Sequence, residues 1–82
     1  MIHYILSPKV VTRYEPKLET GVAFHPGLKK GRRIDLHTYE LLRFLSSTPQ
    51  SLRTLAIHLG LPMPRIKRLI TQLKREGFVK QK

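Results

Sequence analysis

The sequence predicts an α+β fold: a small antiparallel sheet of about three strands, then three helices. Two observations predict it. Residues 1–34 carry short apolar stretches of period two, interrupted by Pro16 and by Pro26-Gly27. From Asp35 onward apolar residues recur at helical spacing, with caps and stops between the runs. The 82 residues make one domain, 1–82, with 1–34 as the sheet and 35–79 as the helical core.

Met1 to Leu6 is apolar and ends at Ser7-Pro8; its pattern does not decide between a strand and a loose arm. Lys9 to Glu15 alternates and predicts a strand. Pro16 to Glu19 is a turn, with proline suited to its second position. Thr20 to His25 is a second strand, in which Val22 and Phe24 share a face. A basic loop follows Pro26-Gly27, and Arg32 to Ile34 is the third short strand. Asp35 is a helix cap, because its carboxylate can accept a bond from an unpaired first-turn amide. Leu36, Tyr39, Leu41, Leu42, Phe44 and Leu45 follow the helical period, and Ser46 to Pro49 ends that helix. Ser51 caps a second helix with Leu52, Leu55, Ala56 and Leu59 as its stripe; Gly60 ends it. The third helix begins at Pro62–Pro64, where the first-turn amides lack partners anyway. It buries Ile66, Leu69, Ile70 and Leu73, and Gly77 stops it before Phe78-Val79.

Charge then narrows the function. Sixteen Lys and Arg stand against five Asp and Glu, a net +11, which calls for an anionic partner. There is no cysteine, and the four histidines show no i, i+4 pair, so neither a metal site nor a cofactor is expected. The five carboxylates sit on separate elements, and no Ser is spaced to a His as a nucleophile would be, so no enzyme is expected. Apolar runs of two or three residues cannot span a membrane, and the N-terminus lacks the positive start of a signal peptide, so a cytoplasmic protein is expected.

The spacing L-A-x-x-L-G-L-x-x-x-x-I from Leu55 to Ile66, followed by Leu73, Gly77, Phe78 and Val79, is a helix-turn-helix pattern. Residues 35–79 resemble the winged helix-turn-helix superfamily. Regulators of that kind usually carry a hairpin wing after the third helix, and the few residues after Val79 leave no room for one. With sheet before helices, residues 8–79 resemble the PqqD-like recognition elements for ribosomal precursor peptides. The resemblance rests on the proline-led strand Pro8 to Glu15, the apolar strand Thr20 to Phe24, and Asp35 six residues before Leu41, where that family typically has Asn. The loop Pro26 to Arg33 is more basic than that family's.

That resemblance implies a non-catalytic peptide chaperone for natural-product biosynthesis. It would bind the acidic leader of a precursor peptide by strand addition and present it to a peptide-modifying enzyme. Its groove would be floored by Ile34, Ile66 and Ile70 and rimmed by Arg32, Arg33, Lys67, Thr71 and Lys74. The alternative partner is duplex DNA. Arg65, Arg68, Gln72 and Arg75 of the third helix would then be the nucleic-acid-binding residues, Lys67, Lys74 and Lys80 would take phosphates, and the Lys29–Arg33 cluster would add a further phosphate contact.

Overall fold

A computed structural model describes residues 1–82. In chain order the elements are β1 (Tyr4–Leu6), β2 (Val11–Glu15), β3 (Thr20–His25), β4 (Lys30–Ile34), α1 (Leu36–Ser47), α2 (Leu52–Leu59), α3 (Met63–Arg75) and β5 (Val79–Gln81). The chain is α+β, as its pattern predicts, and the arrangement is that of a winged helix-turn-helix.

β2, β3 and β4 form an antiparallel meander in that order. Its two hairpins turn alike. Glu19 N–H donates to Pro16 C=O and Lys29 N–H to Pro26 C=O, both at 3.2 Å. Each turn ends on a residue in the left-handed region, Glu19 at φ 50° and Lys29 at φ 51°. Because the second turn uses only Pro26 to Lys29, pairing resumes at Lys30, and β4 is two residues longer than the pattern suggests. β2 is shorter at its start. Lys9 is left-handed at φ 69° and Val10 N–H donates to Ser7 C=O, so residues 7–10 turn before the strand begins.

The helix limits follow local chemistry. Asp35 Oδ1 accepts from Thr38 N–H at 2.8 Å, and Ser51 Oγ accepts from Thr54 N–H at 3.2 Å. Gly60 ends α2 at φ 66°, and Leu61 N–H reaches back to Ala56 C=O at 3.1 Å. Three residues thus separate α2 from α3, the short turn a helix-turn-helix needs. The core joins Leu41, Leu42 and Leu45 of α1, Leu55 of α2, and Ile66, Ile70 and Leu73 of α3, closed by Phe78 and Val79. Ala23 and Ile34 bring the sheet's inner face into it. Each of these side chains larger than alanine contributes about 1.5–3 kcal/mol by leaving water.

One expectation is corrected here. A wing-like ribbon does follow the third helix, but its partner strand comes from the N-terminal part of the chain. β5 pairs antiparallel with β1, Tyr4 opposite Gln81 and Leu6 opposite Val79. On its other edge β1 bridges Gln50, with Tyr4 N–H to Gln50 C=O at 2.8 Å and the reverse bond at 2.9 Å. A strand needs a partner edge, not a partner adjacent in sequence. Met1 to Leu6 is therefore part of the sheet structure from Tyr4 on. No helix is long and apolar enough to cross a membrane.

Candidate nucleic-acid interface

α3 turns about 100° per residue, so its sides separate cleanly. Ile66, Ile70 and Leu73 face the core. On the opposite side Lys67, Arg68, Thr71, Gln72 and Arg75 line one shallow depression with no apolar residue in it. This is a fully polar, cationic helix face held rigid by the buried stripe behind it.

Two β elements flank that face. On one side lies the β1–β5 ribbon. Tyr4 shares a hollow with Thr71, Lys74 and Arg75, and Lys74 Nζ donates to Gln81 Oε1 at 3.0 Å. Lys80 and Lys82 are exposed on this flank. On the other side lies β4. Its Arg32 Nη1 meets Glu76 Oε2 at 2.8 Å, the one ion pair in the molecule. Leu69 lines a groove there with Ile34, Arg32 and Thr38. Glu76 is the only carboxylate on α3 or beyond it, and Arg32 neutralises it. The interface therefore presents cations with little opposing charge.

At the N-terminal end of the groove stands Asp35. Burial pushes its carboxyl up, but the hydrogen bonds from Thr38 and the nearby charges of His37 and Arg65 outweigh that and hold it below its ordinary value. Arg65 thus feels the α1 cap as well as solvent.

The residues proposed for a peptide groove divide between two hollows: Arg32, Arg33 and Ile34 line the one on the β4 side, and Ile70, Thr71 and Lys74 line the one on the ribbon side. Ile34, Ile66 and Ile70 are 4%, 0% and 3% exposed, core side chains rather than an open floor. Lys67, Thr71 and Lys74 lie on the solvent and ribbon sides of α3, away from Arg32 and Arg33 on β4. Helical phase is the reason: Leu69, one residue before Ile70, is what faces β4. Arg68, Gln72 and Arg75 share the exposed face, while Arg65 sits at its edge toward Asp35. Sequence reasoning missed Tyr4 and Gln81 as neighbours of α3, because a pairing between the two ends of the chain leaves no local signal.

A helix-turn-helix core, a strand ribbon beside its last helix, and a cationic solvent face on that helix define a winged helix-turn-helix of the nucleic-acid-binding kind. The IclR helix-turn-helix domain, a domain of DNA-binding transcription regulators, matches residues 37–82, more than half of the chain. The chain belongs to that family. No curated protein and no solved structure matches it. The family match overturns the resemblance to PqqD-like elements, and with it the leader-peptide function, the precursor-peptide partner and the modifying enzyme.

Proposed function

We propose that this chain is the DNA-reading domain of a transcription regulator and binds duplex DNA with α3 in the major groove. The observation that supports it most is the convergence of Arg68, Thr71, Gln72 and Arg75 on one exposed face in a helix-turn-helix of this family. The groove is about 12 Å wide and admits one helix, whose exposed side chains then meet base edges. Arg68 suits the paired acceptors of guanine, and Gln72 the donor and acceptor of adenine. Lys67, Lys74 and Lys80 lie where phosphates would run, positioning the helix without reading sequence. Release of counterions from those phosphates drives affinity, so binding weakens steeply with salt. The domain binds and does no chemistry, and a cytoplasmic location fits that role.

The test is fluorescence anisotropy on duplexes selected from a random pool. Arg68→Ala or Gln72→Ala should cost about 5- to 150-fold on the selected duplex and much less on random DNA. A wild-type protein that binds no duplex at low salt would refute the function.

A further inference from the structure

We propose that the β3–β4 hairpin is a second backbone clamp, in which Lys29 and Lys30 hold phosphates on the side of α3 opposite the β1–β5 ribbon. This rests on the reading that α3 enters the major groove. Residues 1–36 lie outside the family match, so the family assigns this hairpin nothing.

Three observations place the β3–β4 hairpin near the C-terminal half of α3. At the helix's C-terminal end Arg32 meets Glu76. Just beyond it, a Cβ built on Gly77 would stand 2.6 Å from Leu28 Cδ1, so the hairpin tip rests against the helix exit. At mid-helix, Ile34 and Thr38 share a groove with Leu69. The hairpin tip therefore lies at the Arg75 end of α3.

Register then aims the lysines. Lys30, Arg32 and Ile34 pair with His25, Ala23 and Gly21, so they occupy one face of the sheet. Ile34 is buried and Arg32 touches α3, which puts Lys30 on the side facing the helix. Lys29 ends the turn beside it. Both lysines are exposed and neither has an ion partner. The acids of this flank are either engaged, as Glu76 is, or at the far end of the groove, as Glu19 and Asp35 are. A helix about 10–12 Å across fills a groove about 12 Å wide, so whatever stands beside it reaches the phosphate rims. Lys74, Lys80 and Lys82 stand beside one rim and Lys29 and Lys30 beside the other.

The left-handed turn residue supplies a clean test. At φ 51° glycine is more comfortable than lysine, so Lys29→Gly removes a charge without loosening the hairpin. The experiment compares wild type with Lys29→Gly/Lys30→Gln by anisotropy across a salt series, on selected and random duplexes. Expected is a salt slope shallower by about 1.8, near 0.9 per phosphate lost, with equal loss on both duplexes and no lower melting temperature. A charge-matched control, Arg13→Gln/Arg43→Gln, should keep the slope. If wild type binds duplex DNA and the lysine variant keeps its slope, or the control loses as much, the clamp is overturned and the α3 reading stands. If the loss is confined to the selected duplex, the lysines read bases and the clamp is again overturned. If wild type binds no duplex, both readings fall.

Discussion

Gly77→Ala tests how the hairpin is held. Gly77 leaves α3 at φ 89°, where an L side chain is strained by about 1–2 kcal/mol. Its new Cβ would also stand 2.6 Å from Leu28 Cδ1. Leu28 is exposed and its end is flexible, so it swings aside, adding about 0.5–1.5 kcal/mol of rotamer strain. The expected total is about 2 kcal/mol, a fall in Tm of roughly 8–16 °C for a domain this size. Gly60→Ala is the comparison. Gly60 has φ 66° but open space around its Cβ position, so only the backbone cost applies. Thermal and urea unfolding, followed by far-ultraviolet circular dichroism, should show Gly77→Ala losing more than Gly60→Ala. A Leu28→Ala background should erase that excess. Equal losses for the two glycines in both backgrounds would show that the hairpin tip does not rest on the helix end.

Two further outcomes follow from single groups. Asp35→Ala should cost about 1 kcal/mol by leaving the Thr38 amide without its carboxylate. Because the Asp35 carboxyl lies below its ordinary 3.8 in the folded state, its contribution is present above that pH and is lost as pH falls through the folded value. Urea titrations from pH 6 to about 2 should therefore show a decline in wild type that Asp35→Asn lacks; parallel curves would exclude the effect. Arg32→Ala breaks an ion pair whose partners are each about one-quarter exposed, so stability should change by under about 1 kcal/mol. DNA binding at low salt should suffer more, because the freed Glu76 carboxylate would stand beside the proposed phosphate path. Glu76→Gln added to Arg32→Ala should restore binding, and an unrestored double variant would refute that role.

The helical half was legible in the sequence because its signals are local. Asp35, Ser51, Gly60 and Gly77 each act within one turn of chain, and each stands where the sequence places it. The apolar stripe of α3 was legible for the same reason. Its flanks were not. Whether Leu69 or Ile70 faces β4 depends on how the sheet docks, a difference of about 100° that periodicity alone does not set. The wing was the larger miss. Reading the residues beyond Val79 as too few for a hairpin assumed that a strand pairs with its neighbour in sequence. β1 takes that place from the other end of the chain, and no composition or spacing announces it.

That pairing also bears on which partner the helix face serves. An exposed helix carrying Arg68, Gln72 and Arg75 suits DNA only if its angle to the rest of the fold is fixed, since base edges tolerate little misplacement. The core fixes one side of α3 through Ile66, Ile70 and Leu73. β1 fixes the other. Tyr4 is bonded to Gln50, the residue before the Ser51 cap of α2, while Leu6 and Ile5 pair with β5, which leaves α3 through Gly77. One three-residue strand thus ties the entry of α2 to the exit of α3, clamping the two helices of the motif from outside. Without it, the polar backbone groups of Gln50 and of the inner edge of β5 would lose partners, and the α2–α3 angle would rest on the core alone. The structural unit that orients the exposed face of α3 therefore includes residues before position 37, where the family match begins, with Arg32 of β4 on one flank of that helix and Lys80 of β5 on the other.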